Sequence, residues 1–368
     1  MQLKSLYLRN FRGYEEQFIN FSSGIHLFYG DNAQGKTNLL EAIYLLSTGK
    51  SFRTSQLKEL IHTGKEFFSL QATIVREEVE ESLQIYFDGQ TKKVKYNQTA
   101  YASFTHLLGV FPSVLYTPND HLLVEGAPSF RRRYLNLLLA QMDPAYVYHL
   151  SRYHRALKTR NFLLRKKKES SFSCWEKEMA SSASYLLIKR KELLEKLILF
   201  LEDFQKKLPF EEETFTLKFE PSFSLKATKE EIEEDYLELL EKNRPREFYL
   251  KATSLGPHKD DIALYLGDKS AKAFASEGQK KAFSLLLKLI EWKALCENFQ
   301  TAIPFSLDDF GAHFDEKRLY YFQNVLKEMS QIFLTDPSSK DLKLPKDPSL
   351  YKVHKGKVTD FSAALYTL

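Results

Sequence analysis

Eight residues near the amino terminus, GDNAQGKT from Gly30 to Thr37, have the types and spacing needed to hold a phosphate. They match G-x-x-x-x-G-K-[ST], in which the two glycines let backbone N–H groups turn inward toward phosphate oxygens. The lysine reaches the β- and γ-phosphates of a nucleotide, and the final hydroxyl ligates Mg²⁺. The pattern predicts a nucleotide-binding loop formed by Gly30, Asp31, Asn32, Ala33, Gln34, Gly35, Lys36 and Thr37.

Two adjacent carboxylates, Asp308 and Asp309, follow the apolar run IPFSL late in the chain. A strand that delivers two acids is typical of the second half of a nucleotide site, where the first acid holds Mg²⁺, directly or through water. The second acid orients or polarises the attacking water. The alternative is an acidic loop after a core strand, which the upstream phosphate loop disfavours. We therefore predict Asp308 as a metal ligand, and Asp309 with Lys36 as catalytic residues.

A third stretch, ASEGQKKAF, places Ser276 and Gly278 at the start of a helix. A hydroxyl, free backbone amides and a helix dipole together can bind an anion. Taken alone, this pattern favours an ordinary helix cap over an anion site. Its position shortly before the acidic strand resembles the signature motif of the ABC-type ATPase superfamily. That resemblance implies a dimer, in which the signature serine of one subunit contacts the γ-phosphate held by the loop of the other.

The spacing of apolar residues indicates the elements that must position these groups. GIHLFYG, ahead of the phosphate loop, is typical of a buried strand, and apolar residues from Leu39 to Leu46 recur at helical spacing. This order of strand, loop and helix predicts an α/β fold, and the resemblance to the superfamily implies an ABC-type ATPase head of mixed sheets that carries the phosphate loop. Its two parts, 1–115 and 247–368, come from both chain ends, with a mainly helical inserted lobe, 116–246. The basic stretch between Arg131 and Lys168 makes this lobe a candidate DNA-binding arm.

The distance along the chain between motifs discriminates within the superfamily. Lys36 and Ser276 are 240 positions apart, which is more than in transporter subunits. Chromosome-organising SMC-type proteins insert hundreds of residues of coiled coil, and no sustained heptad pattern is present here. The short gap between the motifs therefore disfavours a chromosome-organising SMC-like structural ATPase, which is kept as the alternative. A small-molecule P-loop kinase is disfavoured because the signature stretch precedes the acidic strand.

Seven stretches, which run from LYLRNFRGYE (7–16) to VHKGKVTD (353–360) and include GPHKDDI (256–262), carry a resemblance over nearly the full length of the chain. On these stretches the chain resembles the RecF family of bacterial DNA replication and recombination-repair proteins. This resemblance implies an ATP- and Mg²⁺-dependent DNA-binding dimer that acts at single-stranded, double-stranded or gapped junction DNA with RecO and RecR partners. It also implies slow hydrolysis that serves as a switch and helps to load the recombinase. The matching stretches are LYLRNFRGYE (7–16), GDNAQGKTNLLEAIYLLSTGKSFRT (30–54), LYTPNDHLLVEGAPSFRRRYLN (115–136), GPHKDDI (256–262), SEGQKKAFSLLLKL (276–289), LDDFGAHFDEKR (307–318) and VHKGKVTD (353–360).

The resemblance to the RecF family implies two further residues that contact the nucleotide. At one loop, however, the sequence differs from the family pattern. Thr335, after QIFL, matches the place of a γ-phosphate sensor, and Arg53 resembles an arginine that approaches phosphate in related heads. The alternative for Arg53 is a surface residue. The D-loop, usually Ser-Glu-Leu-Asp in this family, departs from its pattern and puts the cross-dimer contacts in doubt. Its residues here are Ala312, His313, Phe314 and Asp315.

Positive charge is concentrated in one segment. The formal net charge is +5. Between Arg131 and Lys168 there are eleven Arg or Lys and one acid, so this segment is +10 and the rest of the chain is −5. Such a patch binds DNA phosphates without sequence choice, although a solvated helix face and structural roles for the arginine triplet 131–133 are alternatives. Arg152, Arg155 and Arg160 are predicted near one helical face. The predicted DNA-binding residues are Arg131, Arg132, Arg133, Arg152, Arg155, Lys158, Arg160 and Arg165.

Composition excludes several other classes of protein. The amino terminus lacks the apolar block of a signal peptide, and no run approaches the roughly 20 apolar residues that span a bilayer. Cys174 and Cys296 are far apart and lack zinc spacing, which favours reduced thiols in a cytoplasmic protein. We therefore expect no membrane partner.

Overall fold

The chain forms two compact units in the computed structural model. The first consists of Met1–Asp120, Lys207 and the described part of Leu285–Leu368, and the second of His121–Lys206 and the described part of Phe210–Ser284. Within the described part of the chain, no helix is both long and apolar enough to cross a membrane. The structure describes residues 1–167, 172–207, 214–309, 324–338, 344 and 347–360.

Most of the described strands lie in the first 116 residues, and most of the described helices lie between Leu122 and Phe299. In chain order the described strands are β1 Gln2–Phe11, β2 Tyr14–Asn20, β3 Gly24–Tyr29, β4 Phe68–Arg76, β5 Val79–Phe87, β6 Lys92–Tyr96, β7 Thr99–Tyr101, β8 Val114–Tyr116, β9 Phe215–Glu220, β10 Asp261–Leu266, β11 Lys269–Ser270, β12 Phe305–Leu307, β13 Gln331–Asp336, β14 Ser349–His354 and β15 Lys357–Asp360. The described helices are α1 Lys36–Thr48, α2 Leu122–Glu125, α3 Pro128–Met142, α4 Pro144–Lys166, α5 Phe172–Lys206, α6 Lys229–Leu250, α7 Ala271–Phe274 and α8 Glu277–Phe299.

The first unit is built on two six-stranded sheets. One is antiparallel, in the order β2-β1-β4-β5-β6-β7. The other has the order β15-β14-β3-β13-β12-β8, and all its neighbouring strands are parallel except β14 and β15. Helix α1 contacts strands of both sheets, and its Leu39, Leu40, Leu45 and Leu46 are fully buried. A helix that is apolar on nearly every side is stable only when it is enclosed, so α1 lies at the centre of this core.

The second unit is mainly helical. It combines α3 to α6 with the small sheet β11-β10-β9. Local sequence defines the helix starts: the side chain of Asp143 accepts a hydrogen bond from the backbone N–H of Ala145 ahead of α4, and Thr228 and Glu231 form a capping box at α6.

Candidate nucleotide-binding site and basic helix

Three parallel strands bring the predicted catalytic groups to one edge of the mixed sheet. Strand β13 lies between β3 and β12 and pairs with both in register. The phosphate loop follows β3, Asp308 and Asp309 follow β12, and Thr335 stands near the end of β13. Because the carboxyl ends of parallel strands share one edge, residues far apart in sequence meet there.

The phosphate loop is held by contacts that only glycine permits. Gly30 has φ +148°, and a Cβ atom there would stand 2.3 Å from the carbonyl oxygen of Val353 in β14. Gly35 has φ +115°, and its carbonyl accepts a 3.0 Å hydrogen bond from the hydroxyl of the buried Tyr14. Glycine is therefore needed at both positions for two reasons: the positive φ angle, and the close contact with a neighbouring group.

The turn between β14 and β15 also binds the loop. The backbone N–H of Lys355 donates to Oε1 of Gln34 at 2.7 Å, and that of Gly356 donates to the carbonyl of Gln34 at 3.2 Å. Sequence reasoning missed this contact, although VHKGKVTD was among the matching stretches. The loop is thus supported from the carboxyl-terminal side of the chain.

The Lys36 ammonium group is buried inside the loop. It is 5% exposed and donates to the carbonyls of Gly30 at 2.5 Å and Asp31 at 2.9 Å. Burial lowers the pKa of Lys36, and the charges of Asp309 and Asp308 oppose that shift. A desolvated cation next to free loop amides favours an anion such as a phosphate.

Asp308 joins the loop to the sensor position. Its Oδ1 accepts hydrogen bonds from the hydroxyls of Thr37 at 3.0 Å and of Thr335 at 2.7 Å. The Thr335 hydroxyl in turn accepts from the backbone N–H of Asp309 at 2.9 Å. Burial raises the pKa of Asp308 above its usual value. The structure thereby places these four residues in one connected network: Thr37 from α1, Asp308 and Asp309 from the end of β12, and Thr335 from β13.

The oxygens in this network suit a magnesium ion. Mg²⁺ prefers hard oxygen ligands, and it is usually held by one or two protein groups together with substrate phosphates and waters. Thr37 and Asp308 supply a hydroxyl and a carboxylate within 3.0 Å of each other. No group of three His, Cys, Asp or Glu side chains that could hold a metal is found among the described residues. A nucleotide-bound Mg²⁺ needs no such cluster.

Beside the loop, a buried carboxylate organises two arginines. Glu41 is fully buried in α1 and is bound by Nε and Nη2 of Arg12, at 2.9 and 2.8 Å. Arg53 lies 3.6 Å from the same carboxylate and donates to Oδ1 of Asn38 at 2.9 Å. Arg53 remains 45% exposed, and its charge acts to lower the pKa of Asp308. Sequence reasoning missed Arg12 and Glu41, for which the only signal was an acid within an otherwise apolar helix.

Ser276 stands at the start of α8 in the second unit. Its hydroxyl accepts from the N–H of Gln279 at 3.2 Å, and its N–H donates to Oε1 of Gln279 at 2.7 Å, forming a capping box. The ordinary cap weighed from the sequence is therefore present. Ser276 is also exposed, with Gly278 in the first turn, so the positive end of the helix faces solvent.

An ion-pair network holds this helix start. Nζ of Lys280 lies 3.1 Å from Glu125, at the end of α2, and 2.9 Å from Glu277. His121 lies 3.1 Å from Glu125 one turn earlier. The predicted D-loop residues Ala312, His313, Phe314 and Asp315 lie outside the described residues.

Two of the predicted DNA-binding arginines are structural. Arg160 is fully buried, with Nη2 2.9 Å from Glu176 and Nη1 2.6 Å from Glu247. Arg131 is 7% exposed and makes a bidentate pair with Asp261, at 2.7 and 2.8 Å. The prediction that Arg160 and Arg131 contact DNA is wrong, because their guanidinium groups are enclosed and paired with carboxylates.

The exposed basic face of α4 differs from the predicted one. Three cations of α4 are exposed: Arg155, Lys158 and Arg165. Because Lys158 follows Arg155 by three positions and Arg165 follows Lys158 by seven, they lie on one face of the helix. Phe162, which is 49% exposed, lies on the same face. Arg152 is half-buried and ion-paired with Glu178. We call Arg155, Lys158, Phe162 and Arg165 the basic face. On α3, Arg133 is exposed, whereas Arg132 is half-buried and donates to the carbonyl of Asp260 at 2.9 Å.

Comparisons with known proteins agree along nearly the whole chain. The model for the RecF/RecN/SMC N terminal domain matches residues 2–355. A DNA replication and repair protein RecF of Protochlamydia amoebophila is 39% identical over 93% of this chain and 96% of its own length. The corresponding protein of Natranaerobius thermophilus is 32% identical over 93% of this chain and 92% of its own length.

Solved structures show the same architecture. The recombination mediator protein RecF-ATP of the RecFOR pathway has a TM-score of 0.90 and 29% identity, covering 98% of this chain and 97% of that one. A Pyrococcus furiosus Smc head domain has a TM-score of 0.56 at 18% identity, covering 99% of this chain and 98% of that one, a likeness of fold alone. The predicted fold class, an ABC-type ATPase head with a mainly helical lobe, is confirmed.

Proposed function

Since this chain belongs to the RecF family of DNA replication and repair proteins, we propose that it binds ATP and DNA and acts in recombinational repair as a nucleotide-switched dimer. The observation that carries the proposal is the network at the edge of the mixed sheet. There the hydroxyls of Thr37 and Thr335 both donate to Asp308, and the buried ammonium group of Lys36 lies inside the loop that precedes Thr37. The sequence predicts the head as 1–115 and 247–368 and the helical lobe as 116–246. The compact units differ from this prediction mainly at 247–284, which belongs to the second unit.

Each residue of the network has a distinct role toward a bound nucleotide. When bound, ATP with Mg²⁺ supplies the transferable γ-phosphate and the positive charge that offsets it. Lys36 and the backbone amides of Gly30 to Gly35 would bind the phosphate oxygens. Thr37 and Asp308 would hold the metal, Asp309 would orient water, and Thr335 and Arg53 would contact the γ-phosphate.

The signature serine supports a site completed by a second copy. Ser276 is exposed at a positively polarised helix start, with the half-buried Gly278 in the first turn, and a contact to a partner's γ-phosphate requires such an accessible helix start. Hydrolysis in such a dimer is slow and resets it. We propose a cytoplasmic homodimer that works with RecO- and RecR-type partners and helps to load the recombinase.

DNA binding is proposed for the exposed cations of the helical lobe. Four cations are exposed to solvent, unlike the buried Arg160, and can therefore reach DNA: Arg155, Lys158 and Arg165 on the basic face, and Arg133 on α3. Contacts of this kind neutralise backbone phosphates of single-stranded, double-stranded or gapped DNA without reading sequence. Phe162 offers a surface on which an unpaired base can stack.

The nucleotide role is tested by Lys36→Ala in a fluorescent ATP-binding titration with Mg²⁺. Hydrogen bonds from a charged donor contribute about 1.5–3 kcal/mol, so we expect roughly tenfold to a hundredfold weaker binding. Lys95→Ala, which removes an exposed lysine from β6 of the same unit, should bind ATP as the wild type does. Equal affinity of the two variants would show that the loop does not hold the phosphates.

A further inference from the structure

The second unit contains a cavity that the nucleotide site does not use. It has a volume of about 210 Å³ and lies among α3, α4, α5 and the segment ahead of β10. Its polar walls come from Arg132, Asn136, His154, Arg190 and His258. All of these side chains can donate hydrogen bonds, and no carboxylate is part of the lining.

The two neighbouring acids are already neutralised. Asp260 is 2.7 Å from Nη1 of Arg190 and also accepts from the N–H of Ser222 at 2.9 Å. Asp261 is held in the bidentate pair with Arg131. The positive charge of Arg132 therefore has no carboxylate partner of its own among the described residues, so the cavity has an excess of positive charge.

Several donors remain available to a ligand. Arg132 uses only Nη1, toward the carbonyl of Asp260, and its Nε and Nη2 have no partner within the described ranges. Asn136 uses its Oδ1 to accept from Tyr146 and Arg190, at 2.7 and 2.9 Å, which leaves its amide N–H groups. His154 is exposed and makes no hydrogen bond with any described residue.

The opposite wall is fixed and uncharged. Nε2 of His258 is 3.1 Å from the carbonyl of Thr253 and must donate to it, so Nδ1 accepts from the hydroxyl of Tyr153 at 2.7 Å. Burial lowers the pKa of His258 to about 4, so the ring is neutral at physiological pH. The positive charge that would attract a ligand is therefore that of Arg132. The packing of α3 against α4 and α5 fixes its position.

We propose that this cavity binds a phosphate group through Arg132, Asn136 and His154. A planar guanidinium with two free donors matches an oxyanion, and the volume is several times the share of one water molecule, about 30 Å³. A strand phosphate is the favoured source, because His154 is one helical turn from Lys158 on the basic face. That preference rests on the proposed DNA function, whereas phosphate binding itself does not.

Inorganic phosphate titrated into the full chain, without ATP or DNA, tests the site. Histidine-selective NMR should show a saturable shift of the His154 signal. Arg132→Gln should weaken the response about tenfold or more, since it removes a charged donor. Arg133→Gln removes the same charge from the adjacent, exposed position outside the lining, and should leave the midpoint within about twofold.

A second variant keeps the proposal testable even if Arg132→Gln does not fold. His154→Ala alters an exposed side chain, so the fold is retained and only phosphate binding, followed by calorimetry, should weaken. A response that never saturates, or equal weakening in Arg132→Gln and Arg133→Gln, would overturn the proposal.

An oligonucleotide without terminal phosphates distinguishes the sources. If it displaces inorganic phosphate from the cavity, the ligand is a strand phosphate. If it binds the protein and the His154 signal still responds to phosphate, the site serves a free phosphate or nucleotide. Absence of any DNA binding would contradict the proposed function while leaving the phosphate site intact.

Discussion

Single residues of the phosphate loop are constrained by their neighbours as much as by the ligand they are expected to bind. Gly30 is enclosed by the backbone of β14, and Gly35 is enclosed by Tyr14. Neither neighbour belongs to the G-x-x-x-x-G-K-[ST] pattern. The motif therefore specifies the loop, while its geometry depends on a strand more than 300 positions away.

Gly30→Ala should destabilise the protein more than Gly24→Ala does. Both positions have positive φ, at +148° and +104°, so both variants carry backbone strain of about 1–3 kcal/mol. Only at Gly30 does the new Cβ meet a backbone atom, at 2.3 Å, while Gly24 faces open space. We expect an additional 1–3 kcal/mol, approximately, for that overpacking. Urea unfolding of the two variants measures the difference, and equal midpoints would contradict the clash.

Asp308→Asn should make the protein more stable but weaken its binding of Mg²⁺ with ATP. Burial raises the folded pKa of Asp308, so its stabilising contribution is fully present below the unfolded pKa of about 3.9 and is lost as pH rises through the folded value. The amide keeps the acceptor for Thr37 and Thr335 without the charge. The variant should therefore gain stability over the wild type from about pH 4 upward.

Urea unfolding from pH 4 to 7 in the absence of nucleotide measures this gain. Binding of Mg²⁺ with ATP should weaken in the same variant, since a carboxylate ligand is lost. A variant that is less stable than the wild type at pH 7 would show that attraction to nearby cations outweighs burial of the carboxylate.

At the scale of elements, helix α4 has one buried face and one exposed face, and arginine occurs on both. One face contributes Arg160 to a buried network with Glu176 of α5 and Glu247 of α6. The other exposes the basic face. Net charge and helical spacing located the helix but could not distinguish the faces, because arginine occurs on both.

Arg160→Met and Lys158→Gln should separate these faces. Removing one partner of a buried ion pair costs about 3–5 kcal/mol, so Arg160→Met should unfold at a much lower urea concentration. Lys158→Gln should keep the wild-type unfolding midpoint. For duplex DNA it should reduce the slope of log affinity against log salt by about 0.9, the loss of one phosphate contact. An unchanged slope would remove Lys158 from the DNA surface.

At the scale of the whole molecule, our proposal is that a second copy of the chain completes the ATP site. Ser276→Ala should weaken the ATP-dependent dimer in analytical ultracentrifugation with Mg²⁺ and ATP, and should match the wild type with ADP. A hydrogen bond to a charged phosphate contributes about 1.5–3 kcal/mol, so association should weaken about tenfold or more.

Two controls distinguish this role from helix capping. Ser270→Ala changes an exposed serine whose side chain makes no cap hydrogen bond, and should dimerise normally. Ser276→Asp preserves the cap but places a negative charge opposite phosphate, and should also fail to dimerise. Dimerisation of Ser276→Asp at wild-type strength would leave Ser276 with a capping role alone.

The sequence by itself determined the chemistry and the fold class of this protein. The phosphate loop, the acid pair after β12 and the signature serine are local patterns, because each depends on residue types within a few positions. Tertiary structure alone decided which carboxylate Thr37 and Thr335 share, that Arg12 and Glu41 support the loop helix, and that Arg160 is enclosed whereas Lys158 is exposed. These outcomes depend on strand order and helix rotation. Both are set by how the core packs over long sequence distances, which no short pattern contains.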